Sequence, residues 1–130
     1  MAKANVGYVD GFVFTVAKKN LAAYRAMARL GAKMWMKNGA IDYVECVGDD
    51  LVPKKGMSVP GGTSFIKMNK PKANEIVCFS YITFKSKAHR DAVNAKVMKD
   101  PLMNDPKFAN KPMPFDMKRM AYGGFKVVVK

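Results

Sequence analysis

The run EIVCFSYITF (residues 75–84) leads through Lys85 into SKAHRDAVNAKVM (86–98). The first piece is apolar at both parities, as in a strand covered on both faces. In the second, Ser86 stands where a helix N-cap belongs. Ala88, Ala92, Ala95, Val97 and Met98 then predict the buried side of a helix over 87–99. Asp100-Pro101 ends it, with a short helix expected around 101–105. Upstream, VGYVDGFVFTV (6–16) predicts a strand in which Asp10 interrupts apolar neighbours. From 18 to 38 the period changes: Leu21, Tyr24, Met27, Gly31, Met34 and Trp35 form a helical stripe, and Asn38-Gly39 supplies its stop. AIDYVECVG (40–48) predicts a second strand with Tyr43, Glu45 and Val47 on one face and Asp42, Val44 and Cys46 on the other.

The remaining segments are less regular. Residues 49–74 carry Pro53, Pro60, Pro71, Gly56, Gly61 and Gly62, and predict a long loop with a short strand at Ser64–Met68. Residues 106–118, with Pro106, Pro112 and Pro114, look irregular, and RMAYGGFKVVV (119–129) predicts the last strand. The order is strand, helix, strand, strand, helix, strand. It points to an α+β chain with a ferredoxin-like βαββαβ sandwich: one domain over 1–130, an antiparallel sheet and two helices on one face. The opposite face, built from apolar strands, needs cover, and a second copy of the same sheet supplies it. The expected assembly is therefore a homodimer.

Composition narrows the class. The 130 residues are 49% hydrophobic and include 8 Phe, 5 Tyr and 1 Trp, so a disordered basic tail is excluded. No run approaches the roughly 20 apolar residues of a membrane span, and MAKANVGYVDG lacks an export signal. A cytoplasmic protein without membrane contact is the expectation, with Cys46 and Cys78 as free thiols. Their spacing fits no zinc motif; no metal or cofactor is expected.

Several constellations could carry function. Asp10, Asp116, Lys118, Arg119 and Tyr122 form the first. A carboxylate inside an apolar strand needs a cation, and the first and last strands of such a sheet are neighbours, so Arg119 or Lys118 is expected to reach Asp10. The resulting polar spot is either a structural ion pair or a ligand pocket. Glu45, Cys46, Asp49 and Asp50 form a second set, but strand alternation separates Glu45 from Cys46, and the set fits no ligand spacing. His89 is the only histidine and is expected to face solvent. Gly123-Gly124, Gly7 and Gly11 allow close strand packing or make room for a ligand. The 11 methionines are read as core and interface fillers.

Charge is the last feature. Lys and Arg total 23 against 10 Asp and Glu, a net charge of +13. Arg25, Arg29, Lys33 and Lys37, spaced by four, make a basic stripe on the first helix, and the segment from Phe12 to Ala40 contains no acid. Such a stripe is either a solvated face or the footprint of nucleic acid or another polyanion. No sequence-reading motif accompanies it.

Six pieces carry a family resemblance: YVDGFV (8–13), VEC (44–46), FS (79–80), SKAHRD (86–91), KVMKDPLM (96–103) and MPFDMKRMAYGGF (113–125). Together they resemble a bacterial family of unknown function labelled "RNA signal recognition particle" protein, itself similar to the dimeric α+β barrel superfamily. Tyr81 stands where that family carries Trp, and the strong positive charge is a further departure. The resemblance implies a ferredoxin-like homodimer forming a dimeric α+β barrel, and it implies no reaction. Three functions follow as expectations. The first is a small ligand bound in a sheet–helix cleft. The second is non-specific nucleic-acid binding through the stripe. The third is a cofactor-free oxidase or haem-handling enzyme.

Overall fold

The computed structural model describes residues 5–54, 62–106 and 113–130. Strand β1 (Tyr8–Ala17) passes through a 3-10 turn (Lys18–Asn20) into α1 (Leu21–Lys37). Strand β2 (Asp42–Val47), α2 (Phe65–Asn69), β3 (Glu75–Phe84) and α3 (Lys87–Met98) follow. Two further 3-10 turns (Pro101–Asn104 and Met117–Arg119) precede β4 (Ala121–Lys126). The strands form one sheet in the order β2-β3-β1-β4, with every neighbouring pair antiparallel. The molecule is thus a mixed α+β structure with an open four-stranded sheet.

Local chemistry sets the element ends. Gly39, at φ +115°, terminates α1. The Ala40 N–H donates to the Trp35 carbonyl (3.0 Å) and the Gly39 N–H to that of Met36 (3.3 Å), which is a Schellman motif. The Ser86 hydroxyl caps α3 by accepting from the His89 N–H at 3.1 Å. The third strand and the Asn38-Gly39 stop fall where the sequence places them.

Two expectations are corrected. Ser64–Met68 does not form a strand: Ser64 caps a short helix by accepting from the Lys67 N–H at 3.0 Å, and Lys70, at φ 48°, ends it just before Pro71. The buried side of α3 is also rotated from the expected one, which it shares only at Val97. Val93 and Val97 are buried, while Ala88, Ala92 and Ala95 are exposed and Met98 is 60% exposed. Branched side chains remove more apolar surface from water than alanine methyls do, so they set the helix face. Of the punctuating residues, Gly56, Pro60, Gly61 and Pro112 lie outside the described residues.

Alternation in β1 turns Asp10, Phe12, Phe14 and Val16 toward the helices. Phe14 and Val16 join Tyr24, Ala28 and Cys78 in one core cluster. Met34, Ala40, Ile82, Phe84, Val93 and Val97 form another beneath α1 and α3. Phe12 packs against both clusters. In its row of the sheet, Phe12 lies opposite Ser80 and Tyr122, and Ser80 lies opposite Glu45. A gap between sheet and α1 opens along this row.

Candidate functional site

The first expected constellation is divided among three places. Asp10 is buried and pairs with Arg90 on α3, with Nη1 to Oδ1 at 2.8 Å. Arg90 also bonds Asp91 at 2.7 Å and lies over the Tyr8 ring, 5.1 Å from its centroid. Burial raises the Asp10 carboxyl above its ordinary value while the guanidinium opposes the rise. Arg119 goes elsewhere: it grips Glu75 through Nη1 and Nη2 at 2.9 and 2.5 Å and reaches Asp116 through Nε at 3.3 Å. Neither Arg119 nor Lys118 pairs with Asp10, because the antiparallel register sets Asp10 against Gly124, well along β4 from both. The Asp116 carboxylate caps its 3-10 turn by accepting from the Lys118 N–H at 3.0 Å. Tyr122, on the edge strand, stacks against Phe12 with centroids 6.0 Å apart and is 76% exposed.

The glycines divide as well. A Cβ on Gly124 would come 2.7 Å from Cζ of Tyr8, the ring that supports Arg90. Gly124 is therefore a packing position, whereas a Cβ on Gly123 would meet nothing within 4 Å.

His89 is half-buried rather than solvent-facing. Its Nδ1 accepts from the Lys85 N–H at 2.9 Å, and its ring meets Phe84 edge-on at 5.9 Å. The turn into α3 explains this, since His89 occupies the helix side that carries Val93 and Val97. It is not among the described residues lining the cleft, so a haem-handling site there has no imidazole.

On α1, Arg25, Arg29 and Lys33 are exposed in line. Lys37 is tied to buried Asp100 at 3.2 Å, and Asp100 also accepts from Asn38 and from the Leu102 N–H, both at 2.9 Å. Those bonds hold the Asp100 carboxyl below its usual range, the Leu102 N–H first among them. The stripe available to a partner is thus three cations long.

The gap between sheet and α1 is a cavity of about 220 Å³. Its walls are Phe12 and Phe14 from β1, Tyr24, Met27, Gly31 and Trp35 from α1, Tyr43 and Glu45 from β2, and Ser80 and Ile82 from β3. Met113, Phe115, Met117 and Met120 close one side. Among the described residues of this lining, Glu45 is the only charged one. Its Oε1 accepts from the Tyr43 hydroxyl at 2.8 Å and its Oε2 from the Tyr24 hydroxyl. Burial, reinforced by the Glu45 charge, pushes both phenols well above the ordinary tyrosine range, so they remain protonated donors. Gly31 makes the arrangement possible: a Cβ there would sit 2.6 Å from the Tyr43 hydroxyl oxygen. Trp35 is fixed by its Nε1–H, which donates to Asn94 Oδ1 at 3.0 Å.

None of Asp10, Asp116, Lys118, Arg119 and Tyr122 lines this cavity. The residues that do were visible in part: Tyr43 and Glu45 share a strand face, and Tyr24 and Gly31 share the helical stripe. Their convergence depends on which strand lies under which helix, and no local pattern carries that. Cys46 lies on the opposite side of β2 from Glu45, as alternation requires, and Asp50 pairs with Lys54 at 3.2 Å. Among the described residues, no group of His, Cys, Asp and Glu could hold a metal ion. No described helix is long and apolar enough to cross a membrane.

Comparison with known proteins places the chain among relatives of equally open function. A family model described as "Protein of unknown function (DUF1428)" matches residues 7–117. The uncharacterized protein YbaA of Escherichia coli strain K12 is 43% identical over 124 residues, spanning 94% of this chain and 97% of that protein. YbaA of Shigella flexneri matches with the same identity and the same coverage. None of these descriptions carries a signal-recognition-particle role. The chain belongs to the DUF1428 family of proteins of unknown function.

Proposed function

We infer that this protein binds a small, largely apolar molecule in the cleft between sheet and α1, anchored at Glu45. One observation carries the reading: a carboxylate with two phenol donors stands inside a cavity whose other described walls, Ser80 apart, are apolar or aromatic. A pocket of apolar walls with a few convergent polar groups is the usual form of a small-molecule site. The chain has 1 Trp, and Trp35 lines the cleft, so occupancy has an intrinsic reporter. Titration with 2-phenylethanol is expected to shift Trp35 emission saturably, and Met27→Trp, read by native mass spectrometry, should lose the adduct. No adduct with the parent protein would overturn the reading.

The setting we infer is a one-domain ferredoxin-like homodimer in the cytoplasm. The strand order β2-β3-β1-β4, with crossovers through α1 and α3, supports the sandwich. The outer sheet face supports the dimer. Phe79 and Phe125 are 42% and 63% exposed there. The strand positions of that face carry Asp42 and Glu75 at its ends and no Lys or Arg. Helix α2 packs on this face through Phe65 and Met68 and brings Lys67 to its rim, so in a chain of net charge +13 the strand surface itself is where a second copy meets least like-charge repulsion. Sedimentation should find a dimer that Phe125→Lys dissociates; a parent monomer at high concentration would refute it.

Arg25, Arg29 and Lys33 support a second reading, non-specific polyanion binding. It predicts duplex affinity that falls with salt at a log–log slope of about −0.9 per phosphate contacted. Arg29→Glu with Lys33→Glu should weaken that affinity, and absence of binding at low salt would remove the reading.

A further inference from the structure

We propose that the cleft ligand is an organic cation, an aromatic or aliphatic amine whose charged nitrogen meets Glu45 and whose apolar part lies among the surrounding rings. This rests on the cleft being a ligand site and names the ligand's class. Six of the chain's other carboxylates meet a cation. Asp10 meets Arg90, Glu75 and Asp116 meet Arg119, Asp100 meets Lys37, Asp91 meets Arg90 and Asp50 meets Lys54. Glu45 is in the cleft with two phenols as its hydrogen-bond donors, and no Lys, Arg or His is among the described lining residues. With 23 Lys and Arg against 10 acids, a half-buried carboxylate with no cation among the described residues is a conspicuous omission.

Neutral phenols satisfy hydrogen bonds but leave the negative charge uncompensated, and charge in a desolvated site is costly without a counter-ion. A ligand ammonium would supply that counter-ion. The walls suit it: Trp35, Tyr43 and Tyr24 present rings whose faces attract cations. Thioether side chains of Met27, Met117 and Met120 offer a soft, adaptable surface for the apolar remainder. The protein's net positive field disfavours cations at long range. A preference for amines therefore has to come from the cleft itself.

The test compares three probes of like size and different charge: 2-phenylethylamine, 2-phenylethanol and 3-phenylpropanoate, each titrated against Trp35 fluorescence. The amine is expected to bind about tenfold more tightly than the alcohol, the size of one charge-assisted hydrogen bond, and the carboxylate least. Glu45→Gln should abolish the amine's advantage over the alcohol, with melting confirming that the variant folds. The parent protein alone already decides the charge order if the variant does not fold. If the alcohol or the carboxylate binds as well as the amine, the cation assignment fails and the cleft reading stands. If no probe binds, both fail.

Discussion

Asp10 shows what one residue can and cannot say. A carboxylate inside an apolar strand requires a cation, and the structure supplies one at 2.8 Å. The identity of that cation, Arg90 and not Arg119, follows from α3 packing on β3, the strand beside β1, a long-range fact invisible in either segment. Arg90→Ala strands a buried charge and is expected to cost about 3 kcal/mol in urea denaturation, whereas Arg119→Ala leaves Asp10 paired. Glu75 carries the complementary test. The Arg119 hydrogen bonds, then that from the Lys72 N–H, hold its carboxyl at about 2 against a usual 4.5. A depressed folded value means the stabilisation is complete above pH 4.5 and is lost as pH falls toward 2. Glu75→Gln should therefore cost about 2 kcal/mol at neutral pH. That gap should close on acidification, read as converging denaturation midpoints; a gap unchanged by pH would refute the ion pair.

At the scale of elements, legibility tracks how local the cause is. Strand β3 and the Schellman end of α1 depend on an apolar run at both parities and on one glycine, and both were readable. The face of α3 was not, because an Ala-rich side and a Val-bearing side compete, and packing on Phe84 and Ile82 decides between them. Helix α2 was misread because five residues offer too few turns for a period, leaving the Ser64 cap as its only signal. Gly31 connects an element to the site. Glycine inside a helix costs about 1 kcal/mol relative to alanine, and here it clears the Tyr43 hydroxyl. Gly31→Ala should leave overall stability within about 1 kcal/mol of the parent, because the helix gain offsets the crowding. It should nonetheless displace Tyr43 from Glu45 and weaken 2-phenylethylamine binding several-fold. Adding Tyr43→Phe removes the crowded oxygen, so the double variant should bind better than Gly31→Ala alone; equal binding would show that Gly31 serves the helix only.

For the whole molecule, the +13 charge is organised by what it avoids: among the described residues, neither the lining of the cleft nor the strand positions of the outer sheet face carry lysine or arginine. The two thiols distinguish these sides. Cys78 is buried toward the helices, and burial pushes it up to about 11. Cys46 is exposed and aligned with Phe79 on the outer face. A thiol reagent acts through the thiolate and needs access. In dilute native protein it should therefore consume Cys46 rapidly and leave Cys78 untouched until the fold is opened with denaturant. If two copies pair through the outer faces, Cys46 becomes shielded. Its reaction rate should then fall as protein concentration rises through the dimerisation range, and Phe125→Lys should restore the dilute rate at every concentration. A Cys46 rate independent of concentration, in protein that sediments as a dimer, would place the interface on another surface. The apolar outer face would then need a different occupant.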